Sequence, residues 1–354
     1  MSSIITIVGA RPQFVKAAVV SKALSESEIS EKIIHTGQHY DHEMSGIFWE
    51  ELGIPSPSIN LEVGSGLHGK QTGIMIQKVE ECILDLPNKP SALLVYGDTN
   101  STLAGSIVAS KMHIPIIHVE AGLRSFNKQM PEEINRIMTD HVSDLLFCSS
   151  QIGVDQLKKE GITTGVHNVG DVMYDAVLTF SNIATKKLTL NNITELRSGE
   201  FSLATIHRPS NTDNESNLAS ILSAFSEIRS PILWPVHPRN KKLLNKHLVP
   251  KNVHLIDPVS YFEMLILLKN CSRVFTDSGG LQKEAYWMKK PCITLRNETE
   301  WIETLEGNWN QLTGADPIKI LKAIELMPST EWKTLYGDGT ASQQIVREIR
   351  NYFN

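Results

Sequence analysis

A strand-then-helix alternation that runs its course twice limits this chain's folds more than any other feature. "SIITIV" (3–8) leads into the helical pattern "PQFVKAAVVSKAL", and "ALLVY" (92–96) leads into "STLAGSIVASKM". "PIIHV" (115–119) and "DLLFCS" (144–149) continue the series. These strands are apolar throughout and do not alternate, which predicts parallel strands buried on both faces by helices. The pattern then restarts with "FSLATI" (201–206), "ILWPV" (232–236), "VHLID" (253–257), "RVFTD" (273–277) and "PCITL" (291–295). The expected fold class is α/β, with two Rossmann-like, doubly wound domains facing a cleft. We place the domains at 1–172 and 173–339. The polar stretch "NIATKKLTLNNITELRSGE" reads as a helix and connection in the second, and a helix over 340–354 packs back on the first.

At 354 residues and 41% hydrophobic content, the chain has material for two cores. Its net charge is −5 with no long run of one sign, which argues against nucleic acid or an anionic membrane as a partner. No stretch reaches the roughly 18 apolar residues of a spanning helix. "MSSIITIVGARPQ" lacks the apolar run of a signal peptide. Cys82, Cys148, Cys271 and Cys292 form no CxxC pair and suit reduced core thiols, so a cytoplasmic location is expected.

Ligands of open α/β sheets bind beyond the carboxyl ends of the strands, so the residues there matter most. After the first strand, "VGARPQFVK" sets Arg11 and Lys16 beside a helix start, a natural phosphate site; otherwise they are a turn arginine and a surface lysine. Asp98 follows the next strand in "VYGDTNST", where a helix cap is the plainer reading. Glu120 follows another in "HVEAGLRS", with Arg124 nearby. Glu132 and Glu133 open a helix in "MPEEINRIMTDH", where the helix dipole alone favours acids. Taken as a set, Asp98, Glu120 and Glu132 converge on one rim. Acids gathered there push one another's pKa values apart, as general acid–base work requires.

Two other patterns carry less. "GSGLHG" (64–69) matches GxGxxG, but it does not follow the first strand and no clear βαβ unit surrounds it. "HTGQHYDHE" gathers His35, His39, Asp41, His42 and Glu43 yet fits no zinc spacing, so we read a polar cleft loop and expect no metal.

In the second half, His207 and Arg208 follow one strand and His237 and Arg239 another. "FTDSGGLQKEA" then offers the amides of Ser278, Gly279 and Gly280 at a helix start, suited to a diphosphate. Glu284, one turn into that helix, is placed to accept bonds from ribose hydroxyls, while Asp277 closes the strand end. Together these favour a nucleotide-sugar diphosphate over a lone phosphate.

The runs "VGARPQFVKA", "HTGQHYD", "YGDTNSTLAG", "HVEAGLRSFNKQMPEEINR", "VGDVMYDAV", "HRPSNTD", "PVHPR", "IDPVSY" and "TDSGGLQKEA" resemble the non-hydrolysing UDP-N-acetylglucosamine 2-epimerases, in the family's order and across nearly the whole chain. The resemblance implies a glycosyltransferase-B-type fold, a UDP-sugar substrate, no cofactor and a homodimer. It carries the catalytic roles to Asp98, Glu120, Glu132 and His207. It carries nucleotide contacts to Arg11, Lys16, His237, Ser278, Gly279 and Glu284, and we add Gly280, Arg124 and Arg296 as substrate-binding candidates. A regulatory substrate site in related enzymes falls here near Gln38, His39 and Gln71. One run departs from the pattern: where the family reads Thr-Glu-Arg-Pro-Glu, this chain has "RNETEWIETLEGNWN", with Trp301 and Ile302 for Arg and Pro. With "SFNKQMPEEINR" and "LYGDGTAS", that variant resembles the branch acting on UDP-2,3-diacetamido-2,3-dideoxyglucuronate for O-antigen. Arg239, Lys241 and Lys242 are candidates to meet a C6 carboxylate.

No carbonyl adjoins C2 of such a sugar to acidify its proton. Breaking C1–O to release UDP while C2 is deprotonated gives a glycal, and protonation from the other face with return of UDP inverts C2. A hydrolysing epimerase, a glycosyltransferase of the same fold and a non-catalytic UDP-sugar binder are the rivals; a binder alone has no need of three carboxylates beside an anion.

Overall fold

The computed structural model describes residues 3–38, 53, 54, 57–236, 244 and 249–354. The chain divides into two compact units, Met1–Ala176 with Tyr336–Asn354, and Val177–Leu335.

In the first unit, β1 (Ser3–Val8) leads to α1 (Arg11–Glu26), then β2 (Ser30–His35) and β3 (Ile59–Asn60). Next come α2 (His68–Leu84), β4 (Ala92–Tyr96), α3 (Asn100–Lys111), β5 (Ile116–Ala121) and α4 (Pro131–Val142). β6 (Leu145–Cys148), α5 (Gln151–Lys159), β7 (Val166–Asn168) and α6 (Val172–Lys187) follow, and α6 runs on into the second unit. Among the described residues, seven strands run parallel in the order β3-β2-β1-β4-β5-β6-β7. The two-sided apolar strands are the reason. Ile5, Ile7, Leu93 and Val95 pack with Val79 of α2 and Val108 of α3 in one core cluster. "GSGLHG" follows the edge strand β3 and opens α2, so a βαβ unit does surround it; a two-residue strand is too short to announce itself in sequence.

In the second unit, β8 (Ser202–Thr205) is followed by the short α7 (Pro209–Thr212), α8 (Glu215–Ser226), β9 (Ile232–Pro235) and β10 (Val253–Ile256). α9 (Tyr261–Asn270), β11 (Arg273–Thr276), α10 (Gly279–Trp287), β12 (Cys292–Thr294), β13 (Asn310–Leu312) and α11 (Pro317–Glu325) complete it. The order is β10-β9-β8-β11-β12-β13, again parallel. Each face has its own core: Phe225, Trp234, Phe275 and Ile320 on one, Phe201, Leu233, Leu268 and Ala285 on the other.

The chain returns to the first unit with α12 (Ala341–Phe353). Buried Asp175 fixes its start, accepting hydrogen bonds from the amides of Ala341 (3.1 Å) and Ser342 (2.7 Å) and from the Ser342 hydroxyl (2.7 Å). Beside it Gly170 and Gly337 meet backbone to backbone. A Cβ on Gly170 would lie 2.7 Å from the Tyr336 carbonyl oxygen, and one on Gly337 would lie 3.0 Å from the Gly170 Cα.

Candidate functional site

Strand order reverses between β1 and β4 in the first unit, the switch point at which open α/β sheets bind ligands. Gln13 ties the two turns there together. Its Oε1 accepts from the amides of Gly9 (2.8 Å) and Ala10 (3.1 Å), and its Nε2 donates to the Tyr96 carbonyl (2.8 Å) and the Thr99 hydroxyl (3.0 Å). Gln13 does not stand out in the sequence, because a glutamine inside a helix carries no positional signal.

On this frame Asp98 and Glu120 come together. Lys16 forms an ion pair with Glu120, and Arg136 forms one with Asp98. Asp98 keeps 32% of its side chain exposed. Surrounding protein pushes its carboxyl above the usual range, Arg136 and Lys16 oppose that, and the charge of Glu120 adds to it. Glu120 sits at a register shift in the β5–β6 pairing with φ of 74°, a conformation rare for a residue with a side chain. Gly97, at φ +63°, leaves room for it: a Cβ there would lie 3.3 Å from Glu120 Oε2.

Of the acids that open α4, exposed Glu132 stands at the second helical position, whereas Glu133 is buried within the fold. Glu133 accepts from the amides of Ser125 and Phe126, each at 2.9 Å, and from Arg136 Nη1 at 2.9 Å. Arg124 is a correction. Rather than facing the carboxylate pair as a substrate contact, it is 2% exposed and bonds Glu160 through Nε (2.8 Å) and Nη2 (2.6 Å) and Asp140 through Nη1 (2.7 Å). Asp140 also meets His118 Nδ1 at 2.7 Å, and His118 Nε2 lies 2.8 Å from the Gly97 carbonyl. Arg124 therefore braces the turn that carries Asp98.

Gln38 and Gln71 converge on the start of α3. Gln38 Oε1 accepts from the Ser101 hydroxyl (2.7 Å), and Gln71 Oε1 accepts from Asn100 Nδ2 (2.8 Å). His39, His237, Arg239, Lys241, Lys242 and most of "HTGQHYDHE" lie outside the described residues, as does the side chain of Arg11.

The second unit reverses strand order between β8 and β11. Asp277, wholly buried, closes that point from within. It accepts from the amides of His207 (3.0 Å) and Arg208 (3.0 Å) and from Asn211 Nδ2 (3.0 Å). His207 Nδ1 lies 3.3 Å from Asp277, with 56% of the side chain exposed. Ser278 caps α10, accepting from the Leu281 amide at 3.4 Å, which leaves the first amides of the helix at its open end. Around Gly279 stand Trp301 Nε1, Arg296 Nη1 and Glu300 Oε2, within 3.8–3.9 Å of where a Cβ would be. Arg296 is held by both oxygens of Glu300, at 2.9 and 3.0 Å. The Lys283 ammonium lies 3.6 Å from the centre of the Trp301 ring, a cation–π contact absent from the sequence reading. Glu284 is buried, and that burial raises its carboxyl to about 7 against the pull of Lys283.

Two parallel, doubly wound sheets, each with its functional candidates at the switch point, define the glycosyltransferase-B type of fold. The profile of the UDP-N-acetylglucosamine 2-epimerase family matches residues 22–350, and this chain belongs to that family. It is 50% identical to the UDP-N-acetylglucosamine 2-epimerase homolog of Methanococcus maripaludis, over 98% of this chain and 99% of the relative. It is 48% identical to the UDP-2,3-diacetamido-2,3-dideoxy-D-glucuronate 2-epimerase of Pseudomonas aeruginosa, over the same shares. The crystal structure of Methanocaldococcus jannaschii UDP-GlcNAc 2-epimerase in complex with UDP-GlcNAc and UDP superposes with a TM-score of 0.89, at 41% identity and 99% coverage of both chains.

Proposed function

We propose that this enzyme is an isomerase that inverts C2 of a UDP-2-acetamido sugar without hydrolysing it. The observation that carries the reading is the pairing of Asp98 and Glu120 at one switch point, each beside its own cation. Two carboxyl groups in different electrostatic settings can divide acid and base roles.

In the elimination step the C1–O bond breaks with its electron pair going to the UDP oxygen. The C2 proton passes to an enzyme carboxylate, and C1=C2 forms. In the return step a proton adds to C2 from the opposite face and the UDP oxygen re-forms the bond to C1. Asp98 shares the proton transfers with Glu120 or Glu132. His207, Arg11, Lys16 and His237 steady the departing diphosphate, and so do the amides of Ser278, Gly279 and Gly280. Glu284 takes the ribose hydroxyls, and Arg296 lines the turn. Gln38, His39 and Gln71 are the candidate regulatory positions. No step calls for a nicotinamide or a metal.

The diacetamido-glucuronate analogue is the sugar favoured over UDP-GlcNAc. Its support is Trp301, which stands where the family usually has arginine, with Lys283 on its face. That reading places the enzyme in cytoplasmic supply of sugars for O-antigen and other lipopolysaccharide. A homodimer fits α4, where Ile134, Met138 and Val142 recur at helical spacing and are 40%, 45% and 39% exposed.

Incubation of each UDP-sugar in D2O, followed by NMR, tests the reaction and the substrate together. Product inverted at C2 with deuterium there is expected. Retained protium at C2 overturns the elimination scheme, and accumulating UDP with free sugar identifies hydrolysis.

A further inference from the structure

The carboxylate pair is backed by a chain of buried charge that the reaction scheme leaves unused. It starts at the loop carrying Ser125 and Phe126, whose amides, with the Ser125 hydroxyl at 2.9 Å, bind Glu133. Glu133 is 1% exposed and holds Arg136 Nη1 at 2.9 Å, one turn along α4. Arg136, 6% exposed, then reaches Asp98 through Nη2. Asn135, its neighbour on α4, donates to the Asp98 carbonyl at 2.9 Å and to Asn100 Oδ1 at 3.1 Å. α4 thus grips both the backbone and the side chain of Asp98. The charged groups that act most strongly on Asp98 are Arg136 from α4, Glu120 from β5 and Lys16 from α1. Lys16 is itself paired with Glu120.

We propose that Arg136 is a positioning residue that keeps the Asp98 carboxylate aimed and ionised, and that Glu133 is the anchor fixing Arg136. The inference rests on the proposed reading of Asp98 as an acid–base group. Neither Arg136 nor Glu133 is assigned a substrate contact. A guanidinium held by a buried carboxylate has little freedom to swing, so its charge stays on one side of Asp98. Without it, burial and the Glu120 charge both favour the protonated acid, and Lys16 is left as the sole opposing cation among the groups named.

Three variants test this. In Arg136→Met, the acid limb of the kcat/KM profile moves to higher pH. The deficit against wild type grows about tenfold for each pH unit between the two limbs. Arg136→Lys restores the charge without the fork, so the limb returns toward wild type while the plateau stays low. Glu133→Gln lowers kcat with KM for the UDP-sugar within about threefold, since its effect runs through proton transfer.

A readout independent of turnover is 13C NMR titration of carboxyl-labelled aspartates, with the Asp98 signal assigned by its loss in Asp98→Asn. Arg136→Met is expected to raise the Asp98 titration. An unchanged titration or an unmoved limb in a folded variant overturns the proposal. If wild-type protein fails to epimerise in D2O, the functional reading falls instead, while the NMR titration still decides the Arg136–Asp98 coupling. If Arg136→Met does not fold, the same measurements on Arg136→Lys and Glu133→Gln decide: an acid limb, Asp98 titration and kcat all at wild-type values in both overturn it.

Discussion

The two units reverse strand order at equivalent places, yet they handle the acid found there in opposite ways. In the first unit Asp98 presents its carboxyl with a third of the side chain exposed, beside Arg136 and Glu120. In the second unit Asp277 is wholly buried and its oxygens are taken by the amides of His207 and Arg208 and by Asn211. A carboxylate whose oxygens are taken up by backbone amides and a buried asparagine is part of the scaffold. One set beside cations and another acid is available for proton transfer. The same topology thus builds a reactive rim in one unit and a holding rim in the other.

That contrast breaks most readily at Asp98. Asp98→Asn should lower kcat by roughly 10²–10⁴-fold while calorimetric UDP affinity stays near wild type. Loss of UDP affinity with kcat intact would reverse the roles given to the two rims.

Asp277→Ala should instead act on the fold. Stranding buried amides is expected to cost about 2–4 kcal/mol in denaturant unfolding, with weaker UDP binding alongside.

Glu284 gives a pH signature. Its folded pKa of about 7 lies above the 4.5 of a free glutamate. The native state therefore holds the proton more tightly, and stability falls as pH rises from about 4.5 to 7. Glu284→Gln should match wild type near pH 4.5 and exceed it at pH 8 by up to a few kcal/mol. If the ionised form takes the ribose, UDP affinity in wild type rises through pH 7.

The smallest contrast lies in the glycines. Gly97→Ala meets both a positive φ and the Glu120 carboxylate, so a loss of about 1–2 kcal/mol is expected with a fall in kcat. Gly279→Ala meets only ordinary contacts at 3.8–3.9 Å, and its Tm should move little while UDP binding weakens.

The buried strands were legible because they are apolar on both faces; β1 and β4 start and end where their runs do. β2, β7 and β13 were not read. β2 opens with polar "SEK", β7 is a half-exposed edge, and β13 carries Asn310 and Gln311 in three residues. Asp98, Glu120 and the Ser278 turn stood out because strand ends mark them. The groups that hold them did not, because the partners of Gln13, Glu133, Arg136 and Arg124 lie far along the chain or depend on helix phase. Arg124 shows the hazard: a cation near an acid in sequence is bonded to two other acids in space.

The clasp between Asp175 and the start of α12 also bears on synthesis. Residues 336–354 leave the ribosome after the whole of 177–335, yet they complete the first unit. Until they emerge, the α1 surface that α12 covers stays bare, although the strands of that unit's sheet have long since been made. A chain truncated before residue 336 would therefore hold every strand of both sheets described above yet lack the helix that closes over α1.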